Sequence, residues 1–227
     1  MPLSTRPRKA PRLALAALLS LACGWGGVHA LDVDTGKLQS LAASRYGARG
    51  ARTVDDWLQL LRNDTSATEA NKLARVNAFW NQRVLSGEDM HIWGRADYWA
   101  TPLETLGKGA GDCEDYVIGK YFSLISLGVP TEKLRFIYVR ARIGGPYSNQ
   151  QIAHMVLGYY PTPNAVPLVL DSLISTIMPA NERRDLTPVF SFNADGVYVD
   201  GKQASPVDRL SRWRDLLLRM EREGLRP

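Results

Sequence analysis

The segment Gly111-Asp112-Cys113-Glu114-Asp115 and the apolar run behind it constrain this chain most. Tyr116, Val117, Ile118, Tyr121, Phe122, Leu124, Ile125 and Leu127 make a helix-length stretch that is apolar over most of its surface, closed by Gly128 and Pro130. Such a helix belongs in the interior, covered by other elements. Cys113 then stands at its amino end, where unpaired N–H groups and the helix dipole favour a thiolate. By residue type alone, a lone cysteine reads as an inert buried side chain. The acids on either side of this one do not frame an ordinary core position.

Residues 1–30 read as a secretory signal peptide. Arg6, Arg8, Lys9 and Arg12 make a basic start, Leu13 to Ala22 is an apolar run too short to span a bilayer, and Val28-His29-Ala30 is a small-x-small cleavage site. A lipoprotein leader would use Cys23 instead, but Ser20 occupies the place where such sites usually carry leucine. Either reading exports the chain. The formal charge of +5 less those four cations leaves +1 for residues 31–227. With no basic stripe interleaved with aromatics, nucleic acid is not an expected partner. In an oxidising compartment Cys113 has no second cysteine to pair with, so its thiol needs an explanation. Two histidines remain after the leader, His91 and His154, too few for a four-ligand zinc site built from cysteine and histidine. Residues 31–227 fit a single domain without internal repeat, and no second hydrophobic span points to membrane insertion.

The first third is helical in pattern. Lys37 to Tyr46 and Val54 to Leu61 read as helices, the second capped by Thr53. Ser66 with Glu69 reads as a capping box for a longer helix ended by Gly87, with Leu73, Val76 and Trp80 on its core face. His91 to Gly109 reads as a loop whose Trp93, Tyr98 and Trp99 either wall a cleft or pack beneath the chain; His91 reads as a surface or structural residue. Leu134–Arg142, Ala153–Tyr160 and Leu168–Asp171 read as strands, and Phe190-Ser191-Phe192 with Val197-Tyr198-Val199 as a further hairpin. Ser205-Pro206 opens a last helix with Val207, Leu210, Trp213, Leu217 and Met220 on one face and arginines on a solvated one. Helices first and antiparallel strands after predict an α+β fold, its helices packed on one side of the sheet.

A thiolate nucleophile needs a base in reach and a third group to orient that base. If Tyr160 pairs with Pro167, Asp171 comes opposite Val156, on the same face as His154 and one diagonal step away. The same pattern is compatible with a structural histidine beside a convenient carboxylate. Asp112, Glu114 and Asp115 put like charges near a thiol that must ionise, which raises its pKa. Either they complement the helix amino end, or a hard cation such as calcium cancels their charge; composition leaves both readings open.

Several motifs resemble the bacterial transglutaminase-like cysteine proteinases: Asp97-Tyr98-Trp99-Ala100-Thr101-Pro102, Gly111 to Asp115, Lys120 to Leu124, Leu127-Gly128-Val129-Pro130, His154-Met155-Val156-Leu157, Leu168 to Asp171 and Phe190 to Asn193. The resemblance runs from about Leu73 to Tyr198. It implies a papain-like, transglutaminase-like fold with Cys113 as nucleophile, His154 as base and Asp171 as orienter. It also implies Ca2+ held at the positions of Asp112 and Glu114, with Asp115 and Asp97 as weaker candidates. The implied substrate is the N-terminal retention region of a large cell-surface adhesin, cut near two adjacent alanines. The implied inhibitory partner is the periplasmic domain of an inner-membrane cyclic-di-GMP receptor. The Cys113 N–H is one candidate oxyanion donor, and the second is open among Trp93, Trp99 and a backbone group. Two other functions share these residues: a transglutaminase-type acyl transferase, and an inactive module that keeps the fold for binding.

Overall fold

The run after Cys113 is buried without a break from Asp115 to Ile125, so the central helix of the sequence is central in space. The computed structural model describes residues 31–226 apart from 146, 195, 200 and 201. The expected leader, residues 1–30, lies outside the described residues. In chain order these residues form β1 (Asp32–Val33), α1 (Thr35–Asn63), α2 (Glu69–Arg83), β2 (Leu85–Ser86), α3 (Asp89–Trp93), α4 (Pro102–Lys108), β3 (Ala110–Gly111) and α5 (Cys113–Ser126). There follow β4 (Leu134–Arg142), β5 (Gln151–Tyr159), β6 (Leu168–Leu170), β7 (Met178–Pro179), β8 (Leu186–Phe192), β9 (Val197–Val199), β10 (Lys202–Ser205), α6 (Ser211–Glu223) and β11 (Leu225–Arg226). None of these helices is long and apolar enough to cross a membrane.

The main sheet runs β10-β9-β8-β4-β5-β6-β7, and every pair in it is antiparallel. The expected α+β order, helices first and an antiparallel sheet after, therefore holds. The β5–β6 register pairs Leu157 with Leu170, Gly158 with Val169 and Tyr159 with Leu168. That is the register expected from a Tyr160–Pro167 pairing, and continued by one residue it brings Asp171 opposite Val156, two residues from His154. The sheet buries Phe136, Met155, Leu157, Leu170 and Phe192 against the helices.

Close approach fixes α5 in place. A Cβ on Gly119 would lie 2.3 Å from the Trp80 ring, so only glycine lets α2 pack this tightly. Ser123 Oγ accepts hydrogen bonds from Trp57 Nε1 (2.8 Å) and Trp80 Nε1 (2.9 Å) and donates to Gly119 O (2.6 Å). One hydroxyl thus satisfies two buried indoles and ties α1, α2 and α5 together. At the far end Gly128 takes φ 81° and Pro130 follows, ending the helix where the sequence indicates.

Four local readings need correction. Thr53 is no cap: α1 continues through it, broken earlier at Gly47 (φ 65°, ψ −167°), and its hydroxyl donates to Arg49 O. Thr68, not Ser66, caps α2, whose C-cap is Val84 rather than Gly87. The segment read as a loop from His91 holds the end of α3 and all of α4, the latter opened by a full capping box of Thr101 and Glu104 with Pro102 at its start. On α6, Trp213, Leu216 and Met220 are buried as an amphipathic helix requires. Arg219 departs from the solvated face, ion-pairing with Glu104 and donating to Tyr98 Oη and Trp99 O.

Candidate active site

The start of α5 meets the middle of β5, and there the backbone N–H of Met155 is directed at Cys113 Sγ. Asp112 makes this helix start, its Oδ1 accepting from the N–H groups of Glu114 (3.1 Å) and Asp115 (3.3 Å). The Cys113 thiol donates to Glu114 Oε2 (2.7 Å), and Tyr138 Oη donates to Glu114 Oε1 (2.9 Å). Burial pushes the thiol pKa well up, and the charges of Glu114 and Asp112 add to it.

His154 precedes Met155 on β5, and its Nε2 lies 2.7 Å from Asp171 Oδ1. Asp171 is fully buried and held from all sides. Its Oδ1 also accepts from Leu173 N (3.0 Å), and its Oδ2 accepts from Arg183 Nη2 (2.7 Å). Its backbone oxygen accepts from Asn81 Nδ2 (2.9 Å) and Lys120 Nζ (3.0 Å). Burial opposes the charge of Asp171, but the bonds and charge of His154, then Leu173 and Arg183, prevail and hold its pKa at about 2. A carboxylate can only accept, so Nε2 of His154 carries the proton and Nδ1 keeps a lone pair. Burial works the other way on Lys120, taking its pKa down to about 7 against the pull of Asp171.

A third group assembles beside the cysteine. The short parallel pair β2–β3, Leu85 with Ala110 and Ser86 with Gly111, carries the start of α3 alongside the start of α5. Oxygens of Asp89, Asp112 and Asp115 then lie within 4.8 Å of one another. Asp89 Oδ2 accepts from Tyr98 N (2.5 Å) and Asp115 Oδ1 from Ala100 N (2.7 Å). The other oxygens, Asp89 Oδ1 and Asp115 Oδ2, are buried with no hydrogen-bond partner. Burial and mutual repulsion push Asp112 to about 9 and Asp115 to about 8, and Asp89 upward. Gly111 leaves room for this: a Cβ there would come within 2.9 Å of Asp115 Oδ2. Buried, unpartnered carboxylate oxygens converging on one point suit a hard cation.

The structure thus joins Cys113, His154 and Asp171 in one region. Of the acids expected to hold a metal, Asp112 and Asp115 lie in the trio. Glu114 is turned to Cys113 and Tyr138, although its charge bears on all three acids. Asp97, at φ 57°, ion-pairs with Arg212. Asp89 was not among the residues expected from sequence, because only the β2–β3 pairing brings it here. His91 is exposed. Trp99 stacks on Phe192, with ring centroids 5.7 Å apart, and lines a cavity of about 330 Å³ with Tyr138 and Phe190. It therefore serves both readings of that segment: core and cleft wall. The indole N–H groups of Trp93 and Trp99 are buried without partners.

The model of the bacterial transglutaminase-like cysteine proteinases matches residues 55–182. The chain belongs to that family. Solved structures of LapG from Legionella pneumophila are similar along nearly their whole length. One is 38% identical, covering 84% of this chain and 99% of that one with a TM-score of 0.71. An EGTA-treated form is 38% identical over 84% and 100%, with a TM-score of 0.72. A calcium-bound form is 39% identical over 82% and 98%, with a TM-score of 0.70. Among curated proteins, none matches.

Proposed function

We propose that this protein is a periplasmic, calcium-dependent cysteine endopeptidase with Cys113, His154 and Asp171 as its triad. Its proposed substrate is the N-terminal region of a large cell-surface adhesin, cut near adjacent alanines, so that cleavage releases the adhesin and disperses a biofilm. Its proposed inhibitor is the periplasmic domain of an inner-membrane cyclic-di-GMP receptor. The observation that carries the reading is the buried His154–Asp171 hydrogen bond on the strand whose next N–H meets the only cysteine among the described residues.

The chemistry follows from the positions. Nδ1 of His154 takes the thiol proton, and the sulfur attacks the scissile carbonyl carbon. The imidazolium, its Nε2–H held by Asp171, returns that proton to the leaving amine, and a thioester to Cys113 remains. Water, deprotonated by Nδ1, then opens the thioester and frees the carboxylate product. Asp89, Asp112 and Asp115 would hold the cation, with Glu114 beside them. When bound, the ion supplies positive charge that cancels the carboxylates which otherwise keep the thiol protonated.

The test is incubation of the protein with an N-terminal adhesin fragment carrying adjacent alanines, with and without a labelled amine. Cleavage by the wild type and none by Cys113→Ala is the expected result. Amine incorporation in place of hydrolysis would assign the acyl-transferase alternative, and an inert Cys113 the binding-module alternative.

A further inference from the structure

Arg183 was no part of the sequence pattern, yet it is among the largest fully buried side chains, 1% exposed. It follows the one-turn 3-10 helix Ala180–Glu182 and precedes β8. Its Nη2 donates to Asp171 Oδ2 (2.7 Å) and to Asp185 Oδ2 (2.8 Å), and its Nε to Asp185 Oδ1 (2.9 Å). The backbone around it is fastened too: Leu186 N donates to Arg183 O (3.1 Å) and Arg142 N to Asp185 O (2.8 Å). Asp185 is itself 29% exposed, so the guanidinium links a solvated carboxylate to a fully buried one.

We infer that Arg183 is a positioning residue of this site, acting on His154 through Asp171. The argument is one of valence. Oδ1 of Asp171 serves His154 and Leu173, while among the described residues the hydrogen bond to Oδ2 comes from Arg183. A carboxylate with one oxygen unclaimed can turn about its last bond and exchange its oxygens; a planar guanidinium fork claiming the second oxygen fixes the plane. The imidazole that hangs on Oδ1 is fixed with it. Asp185 keeps the fork from following Asp171 if that side chain shifts. Lys120 of α5 binds the backbone oxygen of Asp171 and leaves its carboxylate to Arg183. A merely structural arginine would affect stability and leave turnover in the folded protein untouched.

The inference rests on the proteinase reading, and the test separates the two. Turnover of an adhesin fragment that the wild type cuts is measured for Asp171→Asn, Arg183→Met and the double variant, each with native circular dichroism. Arg183→Met should lower kcat at least about tenfold with KM unchanged, and add less than about twofold to the loss in Asp171→Asn, because it acts through that side chain. Its His154 ring N–H proton, read by NMR without substrate, should move from the wild-type position. If Arg183→Met does not fold, Asp185→Asn removes one side of the clamp and should lower kcat about threefold, with the same movement of the ring proton. Unchanged kcat and ring proton in the folded variant, or independent losses in the double variant, overturn the inference. Unchanged kcat in Asp171→Asn removes Asp171 from the triad and overturns the inference with it, whereas no cleavage by the wild type overturns the proteinase reading beneath it.

Discussion

The two sides of the cysteine are built on opposite principles. On the sheet side, each carboxylate oxygen of Asp171 has a partner, and Arg183 and Lys120 bring positive charge to it. On the helix side, Asp89, Asp112 and Asp115 crowd together, and Asp89 and Asp115 each leave a buried oxygen without a partner. The opposite pKa directions follow from this: Asp171 is held down while Asp112 and Asp115 are pushed up. His154 and Asp171 find their partners among the chain's own residues. Beside Cys113, the buried oxygens that Asp89 and Asp115 leave unpartnered are ones a hard cation could satisfy.

That contrast can be broken by substitution. Asp115→Asn removes a member of the trio that is fully buried and bonded to Ala100 N. It should abolish cleavage about a hundredfold or more and remove any response to calcium. Chelation of the wild type should do the same, with calcium restoring activity and magnesium restoring it poorly, because magnesium demands a tighter octahedron. Asp171→Asn is the counterpart on the complete side. It should leave a weak residual cleavage, since an amide still orients the ring, and that residue should still respond to calcium. Equal calcium dependence of folding in both variants would erase the distinction between the two sides.

A smaller effect sharpens it. Asp112 and Asp115 have folded pKa values of about 9 and about 8 against an ordinary 3.8, so they are raised. Without an ion, the stability they permit is fully present below their unfolded pKa and is lost as pH rises through the folded values. Calcium competes with those protons, so the rise in Tm it produces should grow as pH increases from about 5 to about 8. Thermal melts at fixed free calcium across that range check it; an increment that shrinks with pH would contradict the assignment.

Much of the sheet side was legible in the sequence. Strand alternation and the Pro161–Pro167 connection fix the β5–β6 register, and that register places His154 and Asp171 together. The start of α5 was legible because a cap, a first turn of acids and a long apolar run coincide there. Asp89 was not, because a two-residue parallel pair joins segments 25 residues apart and leaves no periodic signal. Arg183 follows a single 3-10 turn, which has none either. Helix α4 did carry a signal: Thr101-Pro102-Leu103-Glu104 is a capping box with proline at the first helical position, obscured by the tryptophans around it. Arg219 was read with its helix face, and only the packing of Tyr98 and Trp99 against α6 draws it inward.

The contrast between a finished and an unfinished half is tested most directly by calorimetric titration of calcium into chelator-treated protein. The account predicts a single saturable site in the wild type, retained in His154→Ala and Arg183→Met and lost in Asp112→Asn and Asp115→Asn. Absence of binding to the wild type, or binding undiminished in Asp115→Asn, would contradict it.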